Sequence, residues 1–305
     1  MKVVSYNKVI PVKNKSREKE DILKKFLIGV KKTNDTAIFH NDFSLVPCDV
    51  ALIQGWQHEY GKTAKHLKLR QDIVNFQLLN KKHVCVADSN LFLYATPNNE
   101  PHHYLRYSFD GVFPNTGIYF DDTIDTKRWN QISKDLGIRI ESQKNSGSYV
   151  LICLQRQGGW SMGSTSLINW INYVVEQIKQ YSDRPIVLRP HPKDNNTKQY
   201  FSKIDKTLKI STNKSIEEDL KNAWCVVNHN SSSVVGPIIK GYPAFITDPL
   251  KSQCSEVCHH SFKNIETPLE FDRLKWLQRI SMFHWKFSEL EDGTAWQHMR
   301  NYVFQ

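Results

Sequence analysis

The chemistry-bearing residues of this 305-residue chain gather in its second half. The stretch "IVLRPHPKD", Ile186 to Asp194, sets Arg189 and His191 behind an apolar run and brackets them with Pro190 and Pro192. Proline lacks a backbone N–H and fixes φ, so a strand must stop there and the two cationic side chains are held in set directions. A guanidinium suits bidentate phosphate binding, and an imidazole adds a titratable donor. Three further stretches carry groups of the same kind. "LICLQRQGGWSMG" places Arg156 just past an apolar run, with Gly158 and Gly159 open to close backbone approach. "AWCVVNHNSSSVVGPIIKGYPAFI" ends a run at Asn228; Asn230, Ser231, Ser232 and Ser233 follow at a helix start, where hydroxyls and free N–H groups suit an anion. "TDPLKSQ" adds Asp248 and Ser252. Ringed together, these loops predict a pocket for a nucleotide diphosphate. No GxxxxGK[ST] occurs, which argues against the usual ATPase type of phosphoryl transfer.

Such loops need strands behind them. Continuous runs rich in Val, Ile and Leu recur: "TAIFH", "VALIQGW" and "HVCVADS", then "SYVLICLQR", "PIVLRPH", "TLKIST", "AWCVVNH" and "PAFITD". Runs without alternation suit strands covered on both faces. Helical patterns lie between them, at Arg17 to Lys32, Thr63 to Asn80, Ser164 to Tyr181, Ser215 to Asn222 and Ser232 to Lys240. The alternation predicts α/β architecture with parallel sheets. The polar stretch Ile138 to Ser148 is the linker candidate, which gives an N-terminal domain over 1–145 and a C-terminal domain over 146–305. Two Rossmann-like domains facing across a cleft are expected, with ligands at the carboxyl ends of the strands. The tail is expected to be helix, break near Asp292 and Gly293, then helix, capping the second domain or running back over the first.

Composition sets limits on this picture. No apolar run nears the roughly 20 residues of a membrane span, and the start lacks the apolar core of a signal peptide, so a cytoplasmic protein without membrane contact is expected. The six cysteines are scattered; Cys254 and Cys258 precede His259 and His260, but paired CxxC spacing is missing and no metal is expected. The charge of +10, from 41 basic and 31 acidic residues, makes a polyanionic partner plausible, and eight tryptophans offer stacking surfaces.

The first domain is expected to hold the acceptor. Inverting transfer needs a base for the acceptor hydroxyl. "YSFDGVFP" offers Asp110, read as an irregular loop between aromatics; "VADSNLF" offers Asp88 and "LIQGWQHEY" offers His58, each after a strand. Arg70 and Arg106, with Arg128, are candidates for acceptor phosphates, and Trp56 for an intercalating wedge. No DxD motif marks a metal-dependent donor site; in "YFDDTIDT", Asp121, Asp122 and Asp125 serve better as caps for a helix over Lys127 to Leu136.

"RPHPKD" followed by "NHNSSSVVGPIIKGYPAF" resembles the HP and SS motif pair of GT-B glycosyltransferases that include capsule, sialic-acid and glycerophosphate transferases. The resemblance spans about Tyr149 to Asp248. It implies that His191 and Ser231, Ser232 and Ser233 contact the phosphates of a nucleotide-diphosphate sugar, a UDP-sugar foremost, as co-substrate with no other cofactor. "RYSFDGVFPNTG", "LQRQGGWSMG" and "DRPIVLRPHP" further resemble phage proteins of the T-even type that glycosylate hydroxymethylated or hydroxylated cytosine in DNA, arabinosyltransferases among them. That implies double-stranded DNA carrying modified cytosine as partner, a monomer, and work in the host cytoplasm; transfer to a surface glycan, or a non-catalytic nucleotide- or DNA-binding module, are the other expectations.

Overall fold

The computed structural model describes residues 1–11, 17–57, 64–92, 103–157, 162–192, 194 and 201–302. The chain divides into two units. Unit 1 is Met1–Ile138 with Leu277–Gln305, and unit 2 is Arg139–Trp276. The boundary therefore falls seven residues or so before the expected one, and the closing segment belongs with the first unit, not the second. The stretch expected to be a linker is tied into unit 2: Glu141 N–H donates to the Ile239 carbonyl, Lys144 to Gly241 and Ser148 to Asn222. Gly241 has φ +86°, and a Cβ there would lie 1.9 Å from the Ser142 carbonyl oxygen. Only glycine accepts both the left-handed backbone and that approach.

In unit 1 the strands β1 (Lys2–Tyr6), β2 (Thr36–His40), β3 (Val50–Gln54), β4 (His83–Ser89) and β5 (Tyr104–Phe109) are completed near the chain end by His284–Lys286. The sheet runs His284–Lys286, β5, β4, β3, β1, β2. β1 to β4 are mutually parallel, and β5 is antiparallel to both its neighbours. Helices α1 (Arg17–Lys32) and α2 (Lys65–Leu79) make the crossovers after β1 and β3. Helix α3 (Thr126–Leu136) starts on Asp125, whose carboxylate accepts from Lys127 N–H, and stops at Gly137 with φ 65°. The core joins Val3, Val4, Leu52, Val86 and Phe26 to the late residues Phe283, Leu290 and Trp296. Gly293, at φ 95°, separates the helices Phe287–Asp292 and Thr294–Met299.

Unit 2 holds a five-stranded sheet of order β10, β9, β6, β7, β8, built from β6 (Tyr149–Cys153), β7 (Ile186–Arg189), β8 (Lys209–Ile210), β9 (Ala223–Asn228) and β10 (Ala244–Ile246). Every pairing is parallel. Helix α4 (Leu167–Lys179) begins at Ser166, whose hydroxyl accepts from Asn169 N–H, and buries Leu167, Trp170, Ile171, Val174 and Ile178 against the sheet. β6 and β9 are buried on both faces, as their unbroken apolar runs require.

Candidate functional site

In an open parallel sheet the loops at the carboxyl edge part where strand order reverses. In unit 2 that point lies between β6 and β9, since the chain runs β6, β7, β8 outward and then returns to β9 and β10. Two side-chain amides bridge it. Gln155 Nε2 donates to Asn230 Oδ1 at 2.9 Å, and Asn230 N–H donates to Gln155 Oε1 at 3.2 Å. Asn230 Nδ2 continues to Asp248 Oδ2 at 3.1 Å, so residues after β6, β9 and β10 form one network. Gln155 and Asn230 are buried, while Asp248 is half-buried. Beside them Asp194, after β7, accepts from Gln157 N–H at 3.3 Å.

The serines close this edge. Ser231 Oγ accepts from Ser233 N–H at 3.1 Å, capping a short 3-10 turn Ser232–Val234 that leads into the helix Val235–Ile239. Ser233 Oγ accepts from Asn228 Nδ2 at 3.2 Å, which also reaches the Ser231 carbonyl at 2.9 Å. Asn228 is fully buried and its Oδ1 has no hydrogen-bond partner. The expected helix from Ser232 is thus a 3-10 turn and a five-residue helix. Its serines spend much of their capacity on the turn itself.

His191 stands half-buried past β7, and its carbonyl accepts from Asp194 N–H at 2.9 Å. Arg156 is exposed after β6 and makes no ion pair among the described residues. Gly158 and Gly159 lie outside the described residues. Arg189 is different from what the sequence suggests. It is the last residue of β7, paired with Cys153, and its guanidinium turns onto the buried carboxylate of Asp219 and the carbonyls of Asn213 and Lys214. Asp219 also accepts from Ser211 Oγ at 2.6 Å and Asn213 Nδ2 at 2.8 Å. Arg189 braces the turn into the helix Ile216–Leu220, with both of its terminal nitrogens engaged there.

Unit 1 has its own reversal point, between β1 and β3. Arg70 spans it from α2, donating to the Trp56 carbonyl at 3.2 Å and the Val9 carbonyl at 3.0 Å. Burial draws its pKa down to about 10, with Asp88 opposing. Arg106 is buried on β5 and donates to Asp88 at 2.6 Å. Both arginines proposed for acceptor phosphates are therefore internal braces. Trp56 is half-buried against the core. Asp88 remains at the carboxyl end of β4, one oxygen on Arg106 and the other on Ser89 N–H at 2.8 Å.

Asp110 moves furthest from expectation. It does start an irregular loop, but the strand before it, "YLRYSF", runs antiparallel to β4, so that loop lies at the amino edge of the parallel strands. There Asp110, at φ 58°, accepts from Val84 N–H at 2.8 Å and binds His83 Nδ1 at 2.7 Å. It holds the chain reversal at the edge opposite the carboxyl ends of the parallel strands. His58 lies outside the described residues. The tryptophans are also less available than their number suggests: six of the eight, Trp129, Trp170, Trp224, Trp276, Trp285 and Trp296, are buried.

His229 sits between Asn228 and Asn230 and carries no sequence signal of its own. It follows β9, its Nδ1 lies 2.8 Å from Thr247 Oγ1, and its Nε2 is 3.8 Å from Asp248. Burial holds the imidazole below its ordinary pKa, with Asp248 pulling the other way. Cys254 and Cys258 are buried thiols, and burial pushes Cys258 well up.

No family model matches the sequence, and no curated protein matches it. The architecture does have relatives among solved structures. The β-Kdo 2,4 transferase KpsC of Thermosulfurimonas dismutans superposes with a TM-score of 0.54 at 12% identity, covering 93% of this chain and 91% of that one. The β-Kdo 2,7 transferase KpsC of the same organism gives a TM-score of 0.56 at 12% identity, covering 97% and 99%. The fold is of the GT-B type. At that identity the likeness speaks to fold alone. No helix among the described residues is long and apolar enough to cross a membrane.

Proposed function

We propose that this protein is a glycosyltransferase that takes a sugar from a nucleotide-activated donor, held at the carboxyl edge of the unit 2 sheet, and passes it to a hydroxyl of a glycan. The observation that carries the donor site is the Gln155–Asn230–Asp248 network across the strand-order reversal. Buried amides placed there serve no core packing, and a polar network at that point is a ready recognition surface. His191, Asn230, Ser231, Ser232, Ser233 and Asp248 keep the donor-site roles expected of them, and Arg156 takes over from Arg189 as the cation for the phosphates. The donor is a nucleotide-diphosphate sugar, a UDP-sugar in the first instance. In unit 1, Asp88 takes precedence over Asp110 as the base for the acceptor hydroxyl.

The glycan acceptor is favoured by the likeness in fold to two Kdo transferases. Transfer to modified cytosine in phage DNA is the second reading, supported by the charge of +10. Against it stand the internal placement of Arg70 and Arg106 and the burial of most tryptophans. Incubation with a panel of UDP-, ADP- and CMP-sugars, with hydroxymethylcytosine DNA and sialylated or Kdo-bearing oligosaccharides as parallel acceptors, decides by mass gain. Gain on the oligosaccharide alone is expected; gain on the DNA alone replaces the glycan reading, and no gain or donor hydrolysis with any pair refutes glycosyl transfer.

A further inference from the structure

Trp170, Thr247 and His229 form a directed hydrogen-bond chain at the carboxyl edge of unit 2. The buried Trp170 ring donates its Nε1–H to Thr247 Oγ1 at 2.8 Å, and the same oxygen lies 2.8 Å from His229 Nδ1. An indole N–H can only donate, so Oγ1 accepts from it. The hydroxyl's own proton then has one acceptor among the described residues, Nδ1 of His229. Were Nδ1 protonated instead, that hydroxyl proton would have no partner in the protein, an arrangement that folded structures avoid. The neutral imidazole therefore carries its proton on Nε2. The Trp170 ring also packs edge-on against the imidazole, with centroids 5.8 Å apart at 61°, which fixes the ring plane. Nε2 makes no hydrogen bond among the described residues. Its nearest charged neighbour is Asp248 Oδ2 at 3.8 Å, beyond hydrogen-bond range.

We infer that His229 Nε2–H and the Asp248 carboxylate together bind one hydroxyl group of the ligand, the oxygen accepting from the imidazole and its proton going to the carboxylate. A gap of 3.8 Å admits one oxygen within reach of both groups. A phosphate oxygen suits the pair less, because it has no proton to give and would face the carboxylate's charge. The bound atom is thus an alcohol, on the ribose or on the transferred sugar. Trp170 and Thr247 are positioning residues that set which imidazole nitrogen donates. Lowering of the imidazole pKa by burial, opposed by Asp248 and aided by Lys251, is in keeping with a neutral ring. The inference rests on the reading of this edge as a nucleotide-sugar site.

Two measurements test it. In uniformly 15N-labelled protein, a long-range 1H–15N spectrum should show His229 as the Nε2–H tautomer, and Thr247→Val should convert it to a mixture. A wild-type ring protonated on Nδ1 overturns the inference, as does a Thr247→Val spectrum unchanged from wild type. In titration calorimetry the probes are UDP with its 2′-deoxy and 3′-deoxy forms, and UDP-glucose with its singly deoxygenated sugars. His229→Phe should lose about tenfold in affinity for the probe that bears the recognised hydroxyl and nothing for its deoxygenated analogue. His229→Gln, which keeps an N–H near the Nε2 position, should recover part of the loss. Loss confined to the ribose series or to the sugar series names the source of the hydroxyl. Equal binding by wild type and His229→Phe overturns the inference and leaves the nucleotide-sugar reading intact; a wild-type protein that binds none of the probes overturns the inference together with the UDP-sugar form of that reading.

Discussion

Replacing Arg189 with alanine should destabilise the protein rather than merely disarm it. Among the described residues the guanidinium is the one cation on the Asp219 carboxylate, whose side chain is 2% exposed. Removing it leaves a buried anion, and breaking a buried pair in this way costs about 3–5 kcal/mol. Asp219 would keep the Ser211 hydroxyl and the Asn213 amide, so the lower end, about 3 kcal/mol, is expected. A unit of roughly 140 residues loses about 3–4 °C of melting temperature per kcal/mol, which makes the shift about 10 °C. Urea unfolding followed by tryptophan fluorescence reads it as a fall in midpoint at constant slope. Asp219→Asn in the Arg189→Ala background removes the stranded charge and should restore at least about 1 kcal/mol, a coupling that a surface pair would not show. An Arg189→Ala protein as stable as wild type but unable to bind UDP-sugars would refute this reasoning and return the guanidinium to the donor's phosphates.

Other positions separate the roles in the same way. Asp110→Ala should cost about 1 kcal/mol through the lost Val84 and His83 contacts and leave turnover unchanged; a hundredfold fall in kcat would reinstate it as the base. Arg156→Ala should weaken nucleotide binding about tenfold in calorimetry with the melting temperature unmoved, since its side chain is exposed. Gly241→Ala should destabilise unit 2 by roughly 3 kcal/mol in the same urea assay, as neither the φ of +86° nor the Ser142 carbonyl leaves space for a Cβ. His284 is wholly buried, accepts from Leu91 N–H on Nε2 and binds the Ile280 carbonyl through Nδ1, and burial brings its pKa down to about 3. Because the unfolded chain takes up the proton first, its contribution is complete above about pH 6.5 and is lost as pH falls, at about 1.4 kcal/mol per pH unit toward pH 3. His284→Phe should flatten that part of the stability-against-pH curve, and an unchanged slope would show that the imidazole titrates normally.

Much of the framework is legible from apolar runs. "SYVLIC", "PIVLR" and "AWCVVN" are each strands of an all-parallel sheet, and α1 spans the residues its pattern marks. The capping logic also holds at Asp125, Ser166 and Ser215, where the side chain accepts from the first turn. What escapes is β5. Arg106 and Ser108 interrupt its apolar residues, and both are buried because Asp88 across the pair neutralises the arginine, a compensation that local sequence does not display. The closing segment escapes for a similar reason: His284–Lys286 is three residues long and gains its identity only by pairing with β5.

Apart from Asp88, which is itself on the β4 ladder, the candidate residues divide by one geometric rule. Side chains of residues still on the ladder project from the faces of the sheet, whereas residues past the last pairing are free to project from its edge. Arg189, paired with Cys153, and Arg106, paired with Asp88 and His284, are on the ladder; Arg189 spends its charge on the buried carboxylate of Asp219, and Arg106 on the half-buried carboxylate of Asp88 on the neighbouring strand. Arg156, His191, His229, Asn230 and Asp248 lie one to three residues past their strands, and these are the groups that meet at the edge or stand exposed on it. A two-residue difference between Arg189 and His191 thus separates a brace from a group that stands past the strand at the sheet edge. Prolines on either side of His191 fix where the strand stops, and so they fix which of the two side chains is delivered to the edge.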